Sequence, residues 1–417
     1  MGLLSKQLNE IIDGDKSFGY NIDQFMFETG FPNFDYCNGQ VGIGANGVKH
    51  YNIGIDAGKT IMIAGKPGSG KTTLALQIAY NVSKKYDESD IFVLDFEQSH
   101  TEDRIKALTG MDDEYYSNHV TLKKVDIYTD TVLKLVKRIS KFKKEHEKEY
   151  LTPNKEGVLD ADGKPKMIMP PTFVIVDSIA SMKTEDYQEG DELNSLTVHG
   201  RQAIINKDMI NRIMQPCMVG NVIVIFINHI TTNMSMGVTP PESQTRYLKN
   251  TEAISGGVAM LYLCNLLLKV EAKDKLEEKD KYGIKGFMSL VTIVKSRNSE
   301  AGKSTMFVFN QAEGFERDLS LFEYLKANNL IKGAGVGLYL DGYEQYKFRM
   351  SNLKEKLEIP EFREAFETVA TESLKSTLKL SSKIKVHEQD QIEDAFADEL
   401  DTVAPVTEEA AGGANED

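Results

Sequence analysis

The chain has 417 residues, 41% of them hydrophobic, enough to bury at least one large core and to divide into two or three domains. Three cysteines, Cys37, Cys217 and Cys264, with no Cys-x-x-Cys spacing argue against a disulfide framework or a zinc site, and no uninterrupted apolar run approaches a membrane span. The net charge of −14 is uneven: residues 388–417 hold eleven acidic side chains and no Lys or Arg, so the body of the chain is near neutral and the low pI does not exclude nucleic acid as a partner.

Residues 1–20 hold no signal-type stretch, so a soluble, cytoplasmic protein is expected. Residues 1–27 read as a short amphipathic lead-in, with Leu3, Leu4, Leu8, Ile11 and Ile12 at helical spacing. Residues 39–58 are rich in Gly and Asn and read as a connection, with Asn46-Gly47 a hairpin turn. Strand and helix patterns then alternate. Strands are expected at Thr60–Ala64, Ile91–Phe96, Phe173–Asp177 and Val222–Asn228, and helices at Thr72–Lys85, Asp130–Glu147 and Gly200–Met214. Apolar, β-branched strands alternating with helices imply an α/β fold, with a mostly parallel sheet covered on both faces. Val258–Val270, broken near Asn265, and Phe287–Val294 are expected to extend that sheet.

Residues 150–171 form an insertion rich in Pro, Gly, Lys and Asp. Its Asp160-Ala-Asp162-Gly163 lacks the full ligand set of a calcium loop and reads as a surface turn. From Leu321 the pattern changes to helix (Leu321–Leu330), hairpin around Asp341-Gly342, and helix (Glu361–Leu374), a small α+β module. The acidic end reads as a disordered tail, serving either solubility or regulation.

The chemistry concentrates at strand ends. Gly65-Lys66-Pro67-Gly68-Ser69-Gly70-Lys71-Thr72 lies between a strand and a helix, the setting of a phosphate-binding loop. Its glycines let backbone N–H groups turn inward, and the following helix N-terminus, with Thr73 in its first turn, adds partial positive charge. Lys71 can reach the β- and γ-phosphates of ATP, and Thr72 can ligate Mg²⁺. Asp177 ends a buried strand and can hold the water shell of that ion. Glu97 ends the neighbouring strand and can orient or deprotonate an attacking water. Asn228-His229 ends a third strand at the same edge, where a polar side chain can sense the γ-phosphate. The long loop that follows, Ile230–Ser255, is a candidate switch.

In these motifs the chain resembles the RecA-type homologous recombinases, and most closely the UvsX-type recombinases of tailed phages. The resemblance runs over residues 28–375 in order, from Thr29-Gly30-Phe-Pro-Asn-Phe-Asp35 through the phosphate loop, Asp95–Glu97, Val176-Asp177-Ser178, Asn228-His229 and Ser255-Gly256-Gly257. It then takes in Val294-Lys295-Ser296-Arg297-Asn298. It implies four parts: an N-terminal oligomerisation segment (1–27), a RecA-like ATPase core (28–320), a small C-terminal domain (321–385) and a disordered acidic tail (386–417). It further implies that Glu97 is the catalytic glutamate, His229 the γ-phosphate sensor, and Lys295 and Arg297 cations that reach the ATP of the adjacent subunit. Thr101 and Arg104 fall where the family contacts adenine, although an aromatic residue is usual at the second position.

Residues 183–200 and 230–255 match the family's two mobile DNA loops. Arg201, Lys207, Arg212, Arg246 and Lys249 are the cations near them, Met234 and Met236 could wedge between bases, and Gly256 and Gly257 close the second loop. The implied activity is a DNA-dependent ATPase, using ATP and Mg²⁺, that forms helical filaments on single-stranded DNA and pairs it with homologous duplex. The implied partners are a single-strand-binding protein and a recombination mediator, with no membrane, in an infected bacterial host. A hexameric helicase motor on the same core, and a non-catalytic filament or mediator protein, are the alternatives. The small module after the core argues against the first, and intact Lys71, Thr72, Glu97 and Asp177 argue against the second.

Overall fold

The computed structural model describes residues 25–43, 49–124, 128–160, 162–182, 196–232, 243, 245–255, 258–335 and 337–378. The lead-in helix, the Asn46-Gly47 turn, most of the first candidate DNA loop and the acidic tail therefore lie outside the described residues. The chain divides into two compact units. The larger takes in the described residues 25–40 and 51–378; the described part of the smaller is limited to positions 41–43 and 49–50.

A ten-stranded sheet organises the larger unit. Its strands in chain order are β1 (Thr60–Gly65), β2 (Ile91–Asp95), β3 (Val120–Lys123), β4 (Thr172–Asp177), β5 (Val222–Thr232), β6 (Glu252–Ile254), β7 (Leu266–Leu276), β8 (Gly286–Ser296), β9 (Ser304–Asn310) and β10 (Gly314–Glu316). Across the sheet they run β10-β9-β8-β7-β1-β5-β4-β2-β3, with β6 paired to the far end of β5. The six from β7 to β3 are parallel, and β8, β9 and β10 add antiparallel at one side.

The period-2 pattern explains how two helical layers attach. Ile61 and Ile63 of β1 and Phe173 and Ile175 of β4 join one core with helix α1 (Lys71–Ser83), through Leu74, Ile78 and Val82. Met62 and Ala64, with Val174 and Val176, join the opposite core. There they meet α2 (Thr129–Glu145), through Val132 and Val136, and α3 (Leu196–Gly220), through Met209, Ile210 and Ile213. Each of these strands is buried on both faces, as a sheet between two layers requires.

Two expectations are corrected, and one boundary moves: the strand expected to end at Asn228 runs on to Thr232 and pairs with β6, so both ends of the expected loop Ile230–Ser255 belong to the sheet. The helix expected to stop at Met214 runs on to Gly220, with Pro216 inside it. Proline removes one ladder hydrogen bond, but Cys217 falls in register with Ile210 and Ile213 and is fully buried in the same core, so packing overrides the break. The strand expected from Val258 is helix α4 (Val258–Leu263), and strand β7 begins only at Leu266. A short, continuous apolar run has no periodicity that separates a buried helix from a buried strand. The break expected near Asn265 is where helix gives way to strand.

The 150–171 insertion is a surface hairpin of Thr152–Pro153 and Met167–Ile168. The Asp160 carboxylate accepts from the backbone of Asp162 and Lys164 at 2.9 Å each, a turn held by its own side chain. At the other end of the chain, α5 (Arg317–Ala327) and α6 (Pro360–Ser376) enclose a three-stranded sheet that includes the expected hairpin, Leu338–Leu340 and Tyr343–Phe348. Leu321, Phe322, Phe348, Phe362 and Phe366 pack there in one cluster with Met288 of β8 and Val308 of β9.

Candidate nucleotide site

Because β1, β2, β4 and β5 are parallel, their C-terminal ends share one edge of the sheet. Asp95 pairs in register with Asp177, and Asn228 and His229 pair with Ala64 and Gly65. The phosphate loop leaves that edge, which is where an open α/β sheet binds ligands. Gly65 has room for no side chain: a Cβ there would lie 2.3 Å from the Val270 carbonyl of β7. Lys66, Pro67 and Gly68 are exposed at the tip. Gly70 adopts φ of 89° as the residue before α1, with no side chain capping that helix. The first-turn N–H groups of α1, including that of Thr73, are thus left for an outside acceptor.

Lys71 is 6% exposed and donates to the Lys66 carbonyl at 3.0 Å. Burial lowers its pKa, opposed by the charges of Asp177 and Glu97. Thr72 Oγ1 donates to Asp177 Oδ2 at 2.6 Å, which brings the two expected Mg²⁺ residues together. The Ser69 hydroxyl is buried without a hydrogen-bond partner among the described residues. An orphaned hydroxyl, an uncapped helix start and a hydroxyl–carboxylate pair fit a Mg²⁺–triphosphate.

Glu97 follows β2 and reaches across the ends of β4 and β5. Its Oε1 accepts from Ser178 Oγ at 2.5 Å and lies 2.9 Å from His229 Nε2. The expected catalytic carboxylate and the expected γ-phosphate sensor are therefore in direct contact. Asn228 Nδ2 donates to the Ser255 carbonyl at 2.7 Å, fastening β5 to the residue that follows β6. Gly256, Gly257, Met234 and Met236 fall outside the described residues.

Sequence reasoning missed two features. His100 Nε2 lies 2.9 Å from Asp177 Oδ2, the oxygen that Thr72 also engages. Burial alone would lower the His100 pKa, but the hydrogen bond to Asp177 and the charges of Asp177, Asp95 and Glu97 outweigh it, and the net shift is upward. The second is a buried ion pair, Lys269 Nζ to Glu252 Oε2 at 2.7 Å, tying β7 to β6 where the long loop returns. A lysine inside the otherwise apolar start of β7 was the signal for the pair, because a buried charge must find a partner.

Thr101 begins the helix Glu102–Thr109, and its hydroxyl accepts from Arg104 N at 3.3 Å. The Arg104 guanidinium donates to the Gln311 carbonyl at 2.8 Å. Lys207 and Arg212 are exposed on α3, with Arg212 paired to Asp208 at 2.9 Å. Arg201 is on the same helix. Arg246 and Lys249 are exposed within the long loop, just before β6.

Lys295 and Arg297 lie elsewhere. Lys295 pairs with Leu267, which pairs with Met62, toward the end of the sheet opposite the phosphate loop. Its ammonium donates to the carbonyls of Leu261, at 3.0 Å, and Tyr262, and Arg297 donates to Tyr262 at 3.4 Å, so both cap the C-terminus of α4. Burial, with Arg297 beside it, pulls the Lys295 pKa down to about 8.

Residues 27–198 match the family model described as "ATPase: KaiC". No curated protein matches the chain. The matched segment holds the phosphate loop, Glu97, His100 and Asp177, and its similarity to that model together with the mostly parallel sheet supports a RecA-like P-loop ATPase fold. No described helix is long and apolar enough to cross a membrane.

Proposed function

We propose that this RecA-like ATPase is a DNA recombinase, which forms filaments on single-stranded DNA and uses ATP to drive homologous pairing and strand exchange. The observation that carries the reading is the position of Lys295 and Arg297. Residues rise about 3.3 Å each along a strand. Lys295 therefore sits about 10 Å short of the sheet edge where the chain's own phosphate loop begins, on the wrong side to serve it. Cations matching the recombinase pattern yet removed from their own site suit a nucleotide held between adjacent subunits. The long loop between β5 and β6 adds support. β5 runs three residues past His229, to Thr232, before that loop begins, and the return strand β6 pairs with those residues, so both ends of the loop are anchored on the strand that carries the candidate γ-phosphate sensor.

At each site ATP would lie along the phosphate loop. Lys71 would neutralise β- and γ-oxygens, and Glu97, held by Ser178 and His229, would orient the attacking water and take its proton. Mg²⁺, held by Thr72 and the Asp177 water shell, would neutralise phosphate charge. Lys295 and Arg297 of the neighbour would stabilise charge on the transferring group. DNA would be gripped through its backbone, leaving the bases to read each other.

Shared sites make a testable prediction. Arg297→Ala and Lys71→Ala proteins should each be nearly inactive, yet mixing them should restore ATPase activity. Some interfaces then pair an intact phosphate loop with an intact Arg297. Phosphate release measured across mixing ratios should pass through a maximum. A flat line at the level of the single variants would rule out sites completed by the neighbour.

A further inference from the structure

We propose that His100 is a positioning residue of the Mg²⁺–nucleotide site: its Nε2–H donates to Asp177 Oδ2 and holds that carboxylate turned toward Thr72. The inference rests on the nucleotide-site reading and does not depend on the DNA chemistry.

Two buried carboxylates do the work. Asp95 is fully buried, and both its oxygens are spent on backbone: Oδ1 accepts from Ser99 N at 3.2 Å and Oδ2 from His100 N at 2.9 Å. The Asp95 side chain thereby bends the chain after β2 back over the strand end and fixes the Cα from which the imidazole projects. That ring then reaches Asp177, which is 3% exposed, at 2.9 Å. The same Asp177 oxygen receives the Thr72 hydroxyl at 2.6 Å.

With both donors in place, the carboxylate of Asp177 has one favoured orientation. Without His100 it would keep the single tie to Thr72 and could rotate about its terminal torsion, which is broad for Asp. A charge-assisted hydrogen bond to a carboxylate this buried, from a ring that is itself half-buried, is partly shielded from competing water. Orientation matters because Mg²⁺ sheds its waters reluctantly and is held through an octahedral shell that a rotated carboxylate would no longer match. His100 acts here as the partner that aims the carboxylate, as outer partners of metal ligands commonly do.

A satisfied polar histidine that merely fills space would share this packing but not its effect on metal, and two substitutions separate the cases. His100→Leu keeps the bulk and removes the donor; His100→Gln keeps an N–H donor. Manganese uptake in the presence of ADP, followed by the loss of the free Mn²⁺ EPR signal, reads the site without any turnover. ADP binding without metal is measured alongside. His100→Leu should bind Mn²⁺ roughly tenfold more weakly with metal-free ADP affinity unchanged, and His100→Gln should recover most of the loss. Parental Mn²⁺ affinity in His100→Leu, or equal losses in both variants, would overturn the positioning role. Absence of ADP-dependent Mn²⁺ uptake by the parent would instead remove the nucleotide site on which the inference stands.

Discussion

Glu97→Gln should lower the ATPase rate by roughly 10²–10⁴-fold, the usual contribution of a general base, while leaving ATP and DNA bound. The amide keeps the shape of the carboxylate and can still accept from Ser178 Oγ, now 2.5 Å from Glu97 Oε1. What it loses is the basicity that takes a proton from water. The loss should fall on kcat and not on nucleotide affinity, the mark of an interaction made only in the transition state. A complex that binds ATP but cannot turn it over should also release DNA slowly. Phosphate release and nucleotide binding on the same preparation check this; hydrolysis at the parental rate would remove Glu97 from its role.

Lys71→Ala should act at the earlier step. Lys71 is 6% exposed, and its Nζ donates to the Lys66 carbonyl across the mouth of the phosphate loop at 3.0 Å. A hydrogen bond to a charged group contributes about 1.5–3 kcal/mol. Losing even one such bond to phosphate weakens ATP binding about 10–100-fold, and losing the charge opposite the γ-phosphate removes transition-state stabilisation as well. Hydrolysis should fall to background. Titration with a fluorescent ATP analogue should show the affinity loss that Glu97→Gln lacks. Parental affinity in Lys71→Ala would mean that the triphosphate lies elsewhere.

The edge of the sheet was legible because its residues are local to strong patterns. The phosphate loop sits between a strand and a helix of clear period, and Asp177, Glu97 and His229 each terminate an apolar run. Parallel pairing then dictates that those ends meet. Contacts made by side chains reaching across elements were not legible. Nothing local to His100 announces that it touches Asp177, because the contact depends on how Asp95 folds the following residues back. Nothing local to Glu252 announces Lys269. Arg104 falls where an adenine contact was expected, yet its guanidinium donates to carbonyls more than two hundred positions away, at Gln311 and Ala312. The two misread segments share one cause: in α3 and α4 the buried face, not local propensity, decides the structure, through Cys217 beyond Pro216 and Leu261 before Asn265.

Shared ATP sites are compatible with an open filament and with a closed ring, so assembly geometry is the decisive observable. A ring closes on itself and a filament does not, because the rotation between neighbouring subunits differs. Negative-stain electron microscopy of the full chain with single-stranded DNA and Mg²⁺, compared with and without ATP, reads that rotation directly. Open helical filaments coating the DNA, extended when ATP is present, are the expected result; closed rings, or particles that ignore DNA and ATP alike, would contradict the recombinase reading.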